Sequence, residues 1–277
     1  MEVLRYSAFT TDPAGGNPAG VVLDASGATE AEMQAVAADV GYSETAFLVN
    51  RGVGVVDVRY FSPLAEVPFC GHATIASAVA HADRNGTGLL RLMTPVGEVP
   101  VQTVKGADGT VATLVSVPPR TSEIAEEDVD ELLAALGWSS GELDPALPPR
   151  VAYAGASHPV LAAATRERLA DLDYDFERLG ALMAARDWTT VALVHRESET
   201  VFHARNPFPP GGVVEDPATG AAAAAFAGYL RGLGLITPPT RITIHQGVDM
   251  GRPSLITVDV FDATSGVGVS GTAVPIT

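Results

Sequence analysis

The stretch Pro68-Phe69-Cys70-Gly71 opens an alanine-rich run to Arg84, and Pro217-Ala218-Thr219-Gly220, 149 residues further on, opens a second run to Arg231. Each run is expected to form a central helix, Gly71 to Arg84 and Thr219 to Arg231, with strands wrapped around it. A weaker match pairs Asn17-Pro18 with His158-Pro159, 141 residues apart. Two motifs in the same order, each beside elements of the same type, indicate an internal duplication.

The flanking sequence agrees with this reading. Alternating apolar and polar residues predict strands over Glu2 to Phe9, Val53 to Phe61, Leu89 to Thr94, Val99 to Val104 and Val111 to Val117. Helical spacing predicts a helix over Glu30 to Val40, with Thr29 as its cap. Pro118-Pro119 ends the half. The second half repeats the order. It has a helix at Glu126 to Leu136, a helical region at Arg166 to Arg186, strands near Val151 and Val160, and strands at Thr189 to His195 and Thr200 to Arg205. After the central helix, strands at Arg241 to His245, Leu255 to Phe261 and Gly266 to Ala273 complete it. The expected fold class is α+β: two pseudo-symmetric, barrel-like modules, 1–120 and 121–277, each a curved, mainly antiparallel sheet around a central helix.

Composition narrows the functional classes. With 277 residues, 47% of them hydrophobic, the chain can bury a large core. A formal charge of -16 repels phosphate backbones and anionic lipid, so neither nucleic acid nor a membrane is an expected partner. No apolar run reaches the roughly 20 residues that span a bilayer, and Met1 to Phe9 lacks the pattern of a secretory leader. The single cysteine, Cys70, excludes an intramolecular disulfide and fits a reducing, cytoplasmic setting. His81, His158, His195, His203 and His245 show no metal-ligand spacing, so no metal is expected. No phosphate-loop or dinucleotide signature is present.

The residues able to carry chemistry gather at the two helix starts. A helix N-terminus presents unpaired N–H groups and partial positive charge, so two such ends facing one cleft can hold an anionic substrate. Gly71 and Gly220 lack the side chain that blocks close approach, although each glycine can equally serve a tight turn. His72, in the first helical turn, is a hydrogen-bond partner or a structural residue. Asp216 can cap its helix or contact substrate. Its neighbour Glu215 is expected to be solvated. Glu44 stands at the start of the apolar strand following Ser43. An apolar surround disfavours the ionised carboxylate, which suits a group that both accepts and returns a proton, but an ordinary edge-strand glutamate fits the same pattern. Cys70 and Thr219 occupy equivalent places, as a facing acid and base would. Threonine is a poor proton carrier, so the chain lacks the symmetric acid and base that stereochemical inversion needs, and Cys70 reads as a packing residue.

Five motifs then occur in order: Gly16-Asn17-Pro18-Ala19-Gly20-Val21, Ser43-Glu44-Thr45-Ala46-Phe47, Arg59-Tyr60-Phe61-Ser62-Pro63, Phe69-Cys70-Gly71-His72-Ala73-Thr74 and Glu215-Asp216-Pro217-Ala218-Thr219-Gly220. Together they resemble the PhzF-like family of phenazine biosynthesis, from about Val3 to the last strand. The resemblance implies a diaminopimelate-epimerase-like fold with the active site between two modules, and usually a homodimer. It implies a cofactor-independent isomerase that moves a proton between carbons of a small carboxylate-bearing substrate. Glu44 matches the family's acid-base glutamate. His72 and Asp216 match its substrate-contacting histidine and aspartate, and Gly71, Gly220 and the amides after it match its backbone donors. One departure concerns Ala221, where the family often has serine, so a hydroxyl able to bind a polar substrate group is absent. The rival readings are a Cys70/Thr219 epimerase or dehydratase acting on a cyclic amino acid, and a non-catalytic binding protein of the same fold.

Overall fold

Strand and helix alternate along the chain much as the hydrophobic patterning predicts, and the computed structural model describes residues 1–277. In the first half β1 (Leu4–Ala8) and β2 (Asn17–Val22) lead through α1 (Glu30–Val40) to β3 (Glu44–Gly52), β4 (Val55–Phe61) and β5 (Glu66–Val67). Next come α2 (Gly71–Asn85), β6 (Leu89–Thr94), β7 (Gly97–Gly106) and β8 (Gly109–Val115). The second half runs β9 (Arg120–Ser122), α3 (Glu126–Leu136), β10 (Arg150–Tyr153), β11 (Ser157–Ala162), α4 (Arg166–Ala170), α5 (Phe176–Arg186) and β12 (Ala192–Arg196). It ends with β13 (Val201–Phe208), β14 (Val213–Asp216), α6 (Gly220–Gly232), β15 (Thr240–Gln246), β16 (Ser254–Val260) and β17 (Gly268–Pro275).

The duplication holds strand by strand. The pairs β1–β2, β3–β4, β4–β5 and β6–β7 are antiparallel, and β2–β3 and β4–β6 are parallel. Their counterparts β10–β11, β12–β13, β13–β14 and β15–β16 are antiparallel, while β11–β12 and β13–β15 are parallel. The weaker motif match also falls on equivalent elements, since Asn17 lies in β2 and His158 in β11.

The compact units are 1–115 with 270–277, and 116–269. The observed division, after residue 115, thus comes five residues before the expected 120/121, and the last strand, expected in the second module, lies with the first. β17 pairs with β1 and with β8, closing β1-β2-β3-β4-β6-β7-β8-β17 into a barrel of eight strands. In the second unit β9, which follows the first half directly, pairs with β10.

Each barrel-like sheet surrounds its alanine-rich helix. In α2, residues His72 to Ala80 and Ala82 are buried, and in α6 Gly220 and Ala222 to Leu230 are. A helix apolar all round needs burial on every side, and alanine keeps it slim enough for strands to enclose. Gly228 shows how tight the fit is, since a Cβ there would stand 2.2 Å from Pro119 Cβ.

The outer layers differ. In the first unit Met33 and Ala37 of α1 pack with Phe47, Phe61 and Val22. Thr29 caps α1 as expected, accepting from Glu32 N while the Glu32 carboxylate accepts from Thr29 N. In the second unit Leu132 and Leu136 of α3, and Leu179 and Met183 of α5, cover Leu161 and Leu193 with Trp138 and Trp188. The helical region expected over 166–186 holds two helices, because Asp171 ends α4 and Asp175 caps α5 by accepting from Arg178 N. No helix is long and apolar enough to cross a membrane.

Candidate active site

Glu44 is the first residue of β3, and the four residues after it, Thr45 to Leu48, are buried. Its own side chain is 17% exposed. The carboxylate oxygen Oε2 is shut off from solvent without a hydrogen bond, and lies 3.3 Å from His72 Nε2. A buried acceptor left without a hydrogen bond costs roughly 1–3 kcal/mol, and such groups persist where function retains them.

His72 is held by the first turn of α2. Thr74 Oγ1 donates to the Cys70 carbonyl at 2.7 Å and sits 2.7 Å from the Tyr60 hydroxyl, which fixes the turn against β4. Around the imidazole lie Ser43 Oγ, 3.3 Å from Nε2, and Cys70 Sγ, 3.4 Å from Nδ1 and 3.8 Å from Nε2. Cys70, His72 and Glu44 thus bring three ligand-type atoms within 4.8 Å of one another. Sequence spacing did not reveal this group, because Glu44 and the other two come from separate elements. Helix α2 has no acidic residue in its first turn to satisfy its N–H groups. A Cβ at Gly71 would meet nothing within 4 Å, so packing does not require glycine there.

In the second unit Asp216 ends β14 and its Oδ2 accepts from the Thr219 hydroxyl at 2.6 Å. Gln246 completes the arrangement. Its Oε1 accepts from Thr219 N at 3.1 Å, while its Nε2 donates to Thr219 Oγ1 at 3.0 Å and to the Asp216 carbonyl at 2.7 Å. The strand expected to stop at His245 runs one residue further, and that residue carries the network. Gly247 turns the chain with φ +73°, and a Cβ would stand 2.3 Å from the Arg252 carbonyl oxygen and 2.7 Å from that of Pro217. Gly220 and Ala221 open α6 directly after Thr219.

One expectation needs correction. Glu215 is not solvated but 7% exposed, and its carboxylate accepts both from Arg205 Nε at 2.9 Å and from Arg205 Nη2. Such a pair needs burial on both sides, which neighbouring residue types do not announce. Of the five remaining histidines, His195, His203 and His245 stand in register across β12, β13 and β15. The rings of His203 and His245 stack at 5.3 Å, and His203 Nε2 is 2.6 Å from a Glu197 carboxylate oxygen.

A family model described as "Phenazine biosynthesis-like protein" (PhzC-PhzF) matches residues 6–277. The chain is 31% identical over 288 residues to the "uncharacterized isomerase YfhB" of Bacillus subtilis, covering 99% of this chain and 96% of that one. It is 32% identical over 250 residues to the trans-2,3-dihydro-3-hydroxyanthranilate isomerase of Pseudomonas chlororaphis, covering 90% and 86%. A Bacillus anthracis phenazine biosynthesis protein of the PhzF family superposes with a TM-score of 0.89 at 27% identity, covering 100% and 98%. The duplicated barrels have the diaminopimelate-epimerase-like fold, and the chain belongs to the phenazine biosynthesis-like PhzC-PhzF family of isomerases.

Proposed function

We propose that the protein moves a proton between two carbons of a small carboxylate-bearing substrate without metal or organic cofactor, and that Glu44 removes and returns it. The observation carrying this reading is the buried Glu44 Oε2, without a hydrogen bond and 3.3 Å from His72 Nε2. His72 orients a polar group of the substrate beside the carboxylate. The open space before Gly71 lets the substrate carboxylate approach the α2 N-terminus. In this reading the α6 N-terminus, with Gly220 and Ala221, serves the same substrate, and Asp216 accepts a hydrogen bond from it. The relative named for trans-2,3-dihydro-3-hydroxyanthranilate makes a cyclic amino- or hydroxy-carboxylate the first substrate class to try. We infer a cytoplasmic homodimer, and its charge of -16 argues against nucleic-acid partners.

The test is a thermal-stabilisation screen of such carboxylates followed by solvent-deuterium incorporation into each hit. Wild-type protein should introduce deuterium at carbon, and the folded Glu44→Gln variant should not. Equal incorporation by both sinks the assignment.

A second reading has one observation in its favour: the Cys70 thiol lies 3.4 Å from His72 Nδ1, which can take its proton. An epimerase or dehydratase using Cys70 and Thr219 would lose activity in Cys70→Ser and keep it in Glu44→Gln. The Thr219 hydroxyl, however, donates to Asp216 and accepts from Gln246, so it is engaged on both sides.

A further inference from the structure

We propose that Glu44, Cys70 and His72 form a site for a thiophilic divalent cation of the Zn²⁺ class, and that the ion inhibits the enzyme reversibly. Occupancy follows from the donor geometry alone; the inhibition rests on the proposed role of Glu44.

Three donor types of the zinc repertoire meet here, a thiol, an imidazole and a carboxylate, and Cys70 and His72 are 7% and 6% exposed. Around one tetrahedral zinc at the usual bond lengths, a nitrogen and an oxygen ligand stand roughly 3.3 Å apart and a nitrogen and a sulfur roughly 3.6 Å apart. The measured separations from His72 Nε2 are 3.3 Å to Glu44 Oε2 and 3.8 Å to Cys70 Sγ. The third pair, Glu44 oxygen and Cys70 Sγ, lies within 4.8 Å and would have to close to roughly 3.5 Å around one ion. Such an ion would also give the buried Glu44 oxygen the partner it lacks. Three protein ligands leave a fourth position for water, and the open space at Gly71 offers a way in.

The chemistry selects the ion. Thiolate and imidazole ligands favour Zn²⁺ and its spectroscopic substitute Co²⁺, whereas Mg²⁺ and Ca²⁺ prefer all-oxygen cages. Binding forms S–Zn, N–Zn and O–Zn bonds and releases the Cys70 thiol proton to solvent, one per ion, so apparent affinity rises with pH. The ion holds the carboxylate that would otherwise take the substrate proton, and turnover stops until it is removed.

Titration of the intact protein with Co²⁺ reads the thiolate directly, because a sulfur-to-cobalt charge-transfer band appears in the near ultraviolet only if Cys70 is a ligand. Zn²⁺ affinity is measured by calorimetry. Deuterium exchange is followed with and without Zn²⁺, relative to each variant's own metal-free rate. We expect one Co²⁺ per chain with the band, loss of the band in Cys70→Ser and Cys70→Ala, and Zn²⁺ binding at least 10-fold weaker in both and in Glu44→Gln. Inhibition should be reversed by chelator in the wild type and lost in the Cys70 variants. Circular dichroism confirms that each variant is folded, and two substitutions at Cys70 guard against one that disturbs the turn. No band, or equal Zn²⁺ affinity in wild type and Cys70 variants, overturns the site. A cobalt-thiolate band with undiminished turnover overturns the inhibition, and, where Glu44→Gln also weakens binding and so shows Glu44 to be a ligand, the acid-base role of Glu44 as well.

Discussion

The first turn of α2 and the first turn of α6 hold the same place in a duplicated unit, yet their polar groups are arranged in opposite ways. At α6, Thr219, Asp216 and Gln246 satisfy one another through four hydrogen bonds. At α2 the carboxylate oxygen of Glu44 is buried without a hydrogen bond beside His72. A satisfied buried network gives a rigid, single geometry, whereas an unsatisfied carboxylate oxygen is held at a cost and stays available to react. In the proposed reading, the two copies of the duplicated scaffold take different tasks: proton transfer at the first, positioning at the second.

The strongest way to break this comparison is Glu44→Gln. Turnover should fall by about 10² to 10⁴, as for loss of a general acid-base group, with the melting temperature nearly unchanged. A folded variant with wild-type turnover would show that the α2 end is not the reactive one. Next comes Glu215→Gln, beside Asp216, which leaves Arg205 buried without its counter-charge. Denaturant unfolding should show a loss of about 3 to 5 kcal/mol, largely recovered when Arg205→Met is added.

Protons probe the second unit independently. Burial pushes the His158 imidazole down to about 4, while the unfolded residue takes its proton near 6.5. Between these values the unfolded chain binds more protons than the native one. His158 therefore imposes no loss above pH 6.5 and destabilises the fold progressively as pH falls to 4, by up to about 3 kcal/mol. Unfolding free energies of wild type and His158→Gln should converge as the pH drops through that window. A difference that stays constant with pH removes the effect.

Asp216 sharpens the comparison. The asparagine of Asp216→Asn can still accept the Thr219 hydroxyl, so stability should hold within a few tenths of a kcal/mol, whereas Asp216→Ala should cost about 0.5 to 2 kcal/mol. If Asp216 positions substrate, turnover in Asp216→Asn should still drop about 10-fold to 100-fold through loss of a charged acceptor. Wild-type values for both stability and turnover would take Asp216 out of the site. The smallest effect is expected from exhaustive chelation, which should leave activity intact; activity that vanishes and returns with a single metal contradicts the cofactor-independent reading.

Much of this architecture is legible in the sequence because the duplicated motif repeats its surroundings. Glu30 to Val40, Glu126 to Leu136 and Leu89 to Thr94 fall where periodicity puts them, since each is long enough for its pattern to be read. β5, β9 and β14 are too short, two to four residues, for any alternation to register. The return of β17 to the first unit was hidden for another reason: strand pairing over such sequence distance leaves no local mark. The same limit applies to the site. Glu44, His72 and Asp216 stand out through motif position, but Gln246 is an ordinary strand residue until the fold lays it against Thr219. The closeness of Cys70 to Glu44 likewise depends on β3 meeting the start of α2.

That return of β17 has a consequence for how the protein is made. The strand that seals the first barrel leaves the ribosome only after the whole of 116–269 has been synthesised. Until then β1 and β8 each lack the neighbour that closes the barrel. Closure of the first barrel therefore runs against the direction of translation: the half made first is the half closed last.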